Sequence, residues 1–402
     1  MKDLEQHLVP IDLTSAMGQL VELSATNSWT YNPQGLATTL NMLLEMFSSL
    51  GASVSTQPIR DHVEIDDRGE PRARKLGDIA SIQKWPEAPV QILLVGHYDT
   101  VFSPEHPFQS STLKGDRLVG PGTADMKGGL LVMHAALSTL EASPWAGTVG
   151  WQALLTPDEE IGSPGSAEVL ERASAEKMAG FVFEPSFPDG SLASERKGSG
   201  TFDLHVQGVA AHAGRDHHLG RNAVTAAARL ATELERLNGH WEGVTVNIGS
   251  ISGGGPTNIV PDSAVVRLNV RVPTGRIADE FQQAVESIAA QASSADGITV
   301  TTHGTFTRRP KEMSSGIEAL LGGAKRAAAA VGFNLDWHAT GGVSDGNNLA
   351  AAGLPNLDNL GVHGGNIHSD SEFMYPASLA TRSALSGLLL LMLASGELEV
   401  PQ

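Results

Sequence analysis

The chain of 402 residues contains no cysteine. That excludes disulfides, a thiolate nucleophile and thiolate metal ligands. Positive charge is scarce: 27 Lys and Arg stand against 45 Asp and Glu, a net charge of −18. Such an excess disfavours nucleic acid and anionic membrane surfaces as partners. Long apolar runs are missing too. The longest, residues 388–394, is too short to cross a bilayer and reads as part of a buried C-terminal helix. The first residues, Met1-Lys2-Asp3-Leu4-Glu5-Gln6-His7, show no basic segment followed by an apolar one. No signal peptide is expected, and the expected location is cytoplasmic. No Gly-x-Ser-x-Gly elbow occurs, which leaves a serine nucleophile without support. The cluster Gly253-Gly254-Gly255 lacks the Lys-Ser/Thr of a phosphate loop and reads as a turn between strands.

What is present is 41% hydrophobic and 18% charged residues, a globular composition. The length allows two domains, and 44 glycines imply many tight turns. Apolar spacing predicts a helix over about 15–50, stopped at Gly51. Gln91-Ile92-Leu93-Leu94-Val95-Gly96 is a continuous apolar run, as in a strand buried on both faces. A helix over 126–140, a strand over 147–156, a helix over 163–175 and a strand over 180–183 follow. This alternation predicts an α/β fold, a mostly parallel sheet with helices on both faces.

The pattern changes near Lys197. Strand 201–207, Ala-rich helix 222–237, strands 244–251 and 264–272, helix 277–292 and strand 298–302 follow the β-α-β-β-α-β order of a ferredoxin-like α+β unit. Strand 264–272 alternates strictly, with Val266, Leu268, Val270 and Val272 on one face and Arg267, Asn269 and Arg271 on the other. Residues 198–310 are therefore expected to form an inserted domain, and 1–197 with 311–402 one discontinuous domain. The latter segment should hold helices 315–331, 345–352 and 376–394 and short strands 334–338 and 355–359.

Seven residues of metal-ligand type, His97, Asp99, Asp125, Glu159, Glu160, Glu184 and His368, sit in Gly-rich or apolar-flanked segments. In a doubly covered sheet, ligands gather beyond the carboxyl ends of strands. His97, Glu159-Glu160 and Glu184 fall at or just after such ends. Each alone has a plain structural reading. Asp125 would cap a helix opening at Met126, and Glu159-Glu160 would suit a helix's first turn. His134 reads as packed or exposed on a helix, and His106, His217 and His218 as solvated loop residues. His363 competes with His368. Together, however, buried carboxylates and imidazoles demand partners, and a divalent metal pair satisfies the set. Ligands of His, Asp and Glu suit zinc, and also cobalt or manganese.

The segments Gly96-His97-Tyr98-Asp99-Thr100, Gly122-Thr123-Ala124-Asp125, Thr156-Pro157-Asp158-Glu159-Glu160, Phe183-Glu184-Pro185 and Ile367-His368-Ser369, in this order, carry a resemblance. The chain resembles the zinc-dependent metallopeptidase and deacylase superfamily of glutamate carboxypeptidase, acetylornithine deacetylase, succinyl-diaminopimelate desuccinylase and aminoacylase. Within it the likeness is greatest to glutamate carboxypeptidase. The resemblance implies a catalytic α/β domain with an inserted dimerisation domain, a homodimer, and two divalent ions per subunit, zinc first. It implies that Asp125 bridges the ions, that His97 and Glu160 complete one site, and that Glu184 and His368 complete the other. Glu159 would be the general base, Asp99 would orient His97, and the peptide after Asp125 would be cis. His212, in Ala211-His212-Ala213-Gly214, would enter the site from the partner subunit. Asn258, Arg271 and Arg309, before Pro310, would bind substrate, with Arg308 the alternative to Arg309. The implied reaction is hydrolysis of an amide next to a free carboxylate in a peptide. An N-acyl amino acid is the second substrate option, and a noncatalytic metal-binding protein the remaining reading.

Overall fold

The computed structural model describes residues 2–401. After a single helical turn at Lys2–Glu5 come two longer helices, α1 (Leu13–Ala25) and α2 (Pro33–Ser48). Apolar spacing alone predicts one helix in place of these two. They separate because Asn32 caps the second, accepting from the Gly35 N–H, and Pro33 occupies its first turn, a place where a missing N–H costs nothing. Strands β1 (Ser53–Pro58), β2 (Asp78–Lys84) and β3 (Val90–His97) follow, then α3 (Lys127–Glu141), β4 (Val149–Thr156) and β5 (Ala179–Val182). Between β4 and β5 lie a single 3-10 turn, Glu159–Ile161, and a short helix, Ala167–Ser174.

The second half of the pattern begins with β6 (Gly198–Gln207), α4 (Ala223–Glu235), β7 (Thr245–Gly253), β8 (Ser263–Val272), α5 (Gly275–Ser293) and β9 (Thr299–Arg308). These strands form their own antiparallel sheet in the order β7-β8-β6-β9. One face is apolar: Phe202, Leu204, Val206, Val266, Leu268 and Val270 pack against Leu230 and Leu234 of α4 and Phe281 and Val285 of α5. The other face presents Arg267, Asn269 and Arg271, as period-2 alternation requires.

The chain returns with α6 (Ser315–Val331), α7 (Asp345–Ala351), β10 (Asn356–Leu357) and α8 (Ala377–Ser395). The main sheet has the order β1-β2-β4-β3-β5-β10. Its last four strands run parallel, and β1 and β2 add an antiparallel edge. The expected strand at 334–338 is displaced: Trp337–Thr340 pairs instead with Leu192–Arg196, outside the main sheet. Alternate residues of β3 enter two different cores, which explains its unbroken apolar run. Ile92 and Leu94 join the core that holds α3 and α8, while Leu93 and Val95 join Leu170, Leu349 and Leu354 on the opposite face. Helix α8 is long and apolar enough to cross a membrane, with an 18-residue stretch of mean hydropathy 1.5, but 72% of that stretch is buried inside the fold, where the helix packs on α3 and α6.

The inserted unit meets the main one in several places, among them its base, its polar face and the end of β9, where Arg308 bonds Glu159 and Asp345. At its base, Arg196 and Lys311 exchange backbone hydrogen bonds of 3.0 Å in both directions. At its polar face, the hairpin of His62–Ile65 and Pro71–Arg74 reaches across from the main unit. Arg267 donates there to the Ile65 carbonyl at 2.9 Å and pairs with Asp67 at 2.9 Å.

Candidate active site

The site collects at the carboxyl ends of the parallel strands. His97 is the last residue of β3 and lies beside Thr156, the last of β4. Glu159 and Glu160 form the 3-10 turn just beyond β4, and Glu184 follows β5 by two residues. Asp125 ends the loop that enters α3, and the Asp125–Met126 peptide is cis. His368 arrives on the loop between Gly364–Gly365 and Phe373–Met374.

Asp125 stands at the centre. Its Oδ1 lies 3.1 Å from His97 Nε2 and its Oδ2 lies 3.3 Å from His368 Nε2. His97 Nε2 is also 3.7 Å from Glu184 Oε1, and His368 Nε2 is 3.1 Å from Glu160 Oε2. Two ligand groups result, His97–Asp125–Glu184 and Asp125–Glu160–His368, each with its ligand atoms within 4.8 Å of one another. This corrects the pairing taken from the resemblance, which set His97 with Glu160 and Glu184 with His368. β3 lies between β4 and β5, so sheet order allows His97 either glutamate, and the distances select Glu184.

Asp99 stands behind this set. His97 Nδ1 lies 3.1 Å from the Asp99 carbonyl and 3.3 Å from its carboxylate. The same carboxylate accepts from Thr30 Oγ1 at 2.7 Å and from the N–H groups of Glu159 and Glu160 at 3.2 and 3.3 Å. It thus fixes both an imidazole and the turn bearing two carboxylates. Thr30 reaches it from the break between α1 and α2.

The charges do not balance within the chain. Among the described residues, no Lys or Arg forms an ion pair with Asp125, Glu160 or Glu184; their partners are the two imidazoles. Burial and the nearby Asp125 carboxylate push Glu160 up to about 8, and the same two causes push Glu184 well above the usual carboxylate range. Hydrogen bonds to Asp125 and Glu160 raise His368 to about 11. Crowded carboxylates of this kind call for a cation. Oxygen and imidazole donors in two overlapping groups fit a pair of divalent ions sharing Asp125.

A cavity of about 580 Å³ opens onto this cluster. It is lined by Glu159 and also by Arg196, Arg271 and Arg308. Arg308 is fully buried; its Nη2 donates to Glu159 Oε1 at 2.8 Å and its Nη1 to Asp345 Oδ1 at 2.8 Å. Burial raises the Glu159 carboxyl and the Arg308 charge opposes that rise, with a net upward shift. Arg196 donates to Asp358 Oδ2 at 2.7 Å and to Asn359 Oδ1 at 2.6 Å. Arg271 keeps a buried Nη1 with no hydrogen-bond partner.

Other expected site residues lie elsewhere. Arg309 is turned away, bonded to Asp279 at 2.9 Å and to the Gly275 carbonyl at 3.0 Å. Arg308, the last residue of β9, takes the cavity position, and Arg309 just beyond the strand does not line it, against the expectation that put Arg309 first. His212 lies on a small ladder, Ala211–His212 with Ile259–Val260, beside Asn258, whose carbonyl accepts from the Ala213 N–H; both are exposed, and neither lines the cavity of this chain. His363 bonds the Pro188 carbonyl at 2.8 Å and takes no part in the cluster. The sequence reading did not single out Arg196, because a lone arginine at a strand end has no periodic signature.

Fold and site together define a metal-dependent hydrolase. The family description Peptidase family M20/M25/M40 matches residues 93–391, and the chain belongs to this family. It is 29% identical over 320 residues to carboxypeptidase G2 of Pseudomonas sp., covering 76% of this chain and 74% of that protein. A probable carboxypeptidase of Aspergillus terreus is 33% identical over 224 residues, 51% of this chain and 50% of the relative. Among solved structures, a Staphylococcus aureus tripeptidase aligns with TM-score 0.74 at 23% identity, over 96% of this chain and 100% of that one. An M20 family metallo-carboxypeptidase from Sulfolobus solfataricus aligns with TM-score 0.71 at 17% identity, over 94% and 99% of the two chains.

Proposed function

We propose that the protein is a di-metal amidohydrolase that cleaves a peptide bond next to a free carboxylate, in the manner of a carboxypeptidase. The observation that carries this reading is one cavity holding both the carboxylate–imidazole cluster and three guanidinium groups. His97, Asp125 and Glu184 would hold one ion, and Asp125, Glu160 and His368 the other. Divalent cations there supply Lewis acidity and make water a nucleophile near neutral pH. Zinc suits these donors, and cobalt or manganese can replace it.

Glu159 lines the cavity one residue from Glu160 without belonging to either ligand group, which suits it to take a proton from water and return it to the leaving amine. Its raised pKa favours that exchange. Asp99 keeps His97 and the Glu159–Glu160 turn in register. Arg271, with its unsatisfied Nη1, is suited to grip the substrate carboxylate. Arg308 and Arg196 add positive charge to the same wall. Residues 198–310 are proposed to form the dimer contact, with His212 of the partner subunit and Asn258 of the partner subunit completing the pocket. Their exposure near the exposed Val209, Leu219 and Ile259 supports this.

The test is a panel of dipeptides with C-terminal Glu, Asp or aromatic residues, their amidated forms, and N-acyl amino acids. Free-acid peptides should be hydrolysed, amidated forms poorly, and chelation should abolish both. Full activity after exhaustive chelation would overturn the metal reading. Preference for N-acyl amino acids would move the protein to the deacylase side.

A further inference from the structure

Resting on the metal-centre reading above, we propose that Glu372 is a positioning residue for that centre. Its carboxylate fixes the backbone carrying Asp125 and ties it to the loop carrying His368. Glu372 lies four residues beyond His368, at the base of the same loop. Its Oε1 accepts from the N–H of Ala124 at 2.9 Å and of Asp125 at 3.1 Å, and its Oε2 from that of Gly122 at 3.2 Å. Its own carbonyl accepts from the Gly120 N–H at 3.0 Å. Four contacts thus run from one residue into the loop that ends in Asp125.

The residue is 1% exposed, and its hydrogen bonds are to neutral backbone groups. The buried ammonium of Lys127 bonds instead to the carbonyls of Leu23 at 2.8 Å and Thr26 at 2.9 Å. Burying a carboxylate on neutral donors is costly. What it gains is an acceptor-only group whose two oxygens can gather three converging N–H donors, which an amide or hydroxyl cannot do. Those donors surround the backbone of Asp125, whose two oxygens must face His97 and His368 at once. The His368 loop needs the same anchor. Its tip is exposed, and Asn366 (φ 55°) and His368 (φ 60°) both occupy the left-handed region, which ordinary side chains disfavour. Partners that orient ligands in this indirect way affect metal affinity by about 10–100-fold.

The test uses the metal-free full chain with Glu372→Gln, Glu372→Asp and, as a control in the same loop, the exposed Asp370→Asn. Glu372→Gln keeps one acceptor oxygen and turns the other into a donor facing an N–H. Glu372→Asp keeps the charge and withdraws it by one methylene. Each protein is titrated with Co²⁺, followed by visible absorption and by metal content after dialysis, with circular dichroism and thermal unfolding of the metal-free form alongside. Glu372→Gln should fold, bind at least one ion about 10–100-fold more weakly and show an altered cobalt spectrum. Glu372→Asp should be intermediate, and Asp370→Asn should match the wild type. Peptide hydrolysis by Glu372→Gln should recover in excess metal with KM unchanged. Identical cobalt affinity and spectrum in Glu372→Gln and the wild type would overturn the inference. Loss of fold in both Glu372 variants would overturn it as well, because the residue would then be a structural prop. If the wild type itself takes up no metal, the metal-centre reading falls first, an outcome distinct from both.

Discussion

Glu159 and Glu160 share one turn but face different partners: Arg308 on one side, Asp125 and His368 on the other. Glu159→Gln should therefore keep its metal while turnover falls about 10²–10⁴-fold. Glu160→Gln should lose metal instead. Metal analysis beside steady-state kinetics separates the two, and identical behaviour would dissolve the assignment. Lys311 is a second residue whose surroundings set its chemistry. Burial lowers it from 10.5 to about 8, a gap worth about 3 kcal/mol. The unfolded chain keeps that proton up to about 10.5, so between about 8 and 10.5 it binds more protons than the fold, and stability rises with pH there. The cost is fully present below 8 and gone above 10.5. Lys311→Met should gain up to about 3 kcal/mol at pH 7 and flatten that rise, read by urea unfolding at several pH values. Single residues were legible where their type is costly to bury, as with His97, Asp125 and Glu184. Arg309 against its neighbour was not, since which face of β9 looks into the cavity depends on how the sheet packs.

At the scale of elements, the strands buried on both faces announced themselves, because β3 and β4 are apolar runs ending in polar residues. The edge strands did not. β1 is exposed along its whole length and offers no alternation to read. The helix at 15–50 was overextended because apolar spacing continues across a capped break. Helix α3 carries a test of how tightly the site is framed. A Cβ on Gly129 would stand 2.0 Å from the Phe183 carbonyl oxygen, one residue before Glu184. Gly129→Ala must push the start of α3, and Asp125 with it, away from the exit of β5. We expect a loss of about 1–3 kcal/mol and weakened metal retention, measured by thermal unfolding and by metal content after dialysis. Unchanged metal content with lowered stability would show that the strain relaxes elsewhere.

The whole molecule is two sheet-based units, linked by the chain at a narrow waist and touching again along the polar face of the smaller sheet. The separate antiparallel sheet was legible because its strands change from continuous to alternating hydrophobicity. Its docking was not, since the Arg267–Asp67 contact links residues 200 positions apart. The exposed His212 gives a test at this scale. Inactive His212→Ala and inactive Glu159→Ala chains, mixed and allowed to exchange subunits, should recover activity from one intact site per mixed dimer. No recovery, with exchange confirmed by native mass spectrometry, would place His212 in its own chain's chemistry or outside it. The waist has a consequence of its own. Arg196 and Lys311 face each other across two backbone hydrogen bonds, so their Cα atoms are only about 5.5 Å apart. More than a hundred residues leave and re-enter the host through a gap that a tight turn could close. The insert thus leaves and returns as one unit, and the host sheet draws no strand from it. What excision would remove is Arg271 and Arg308, so the cavity would lose two guanidinium groups and the buried carboxylates of Asp345 and Glu159 would lose their ion-pair partner.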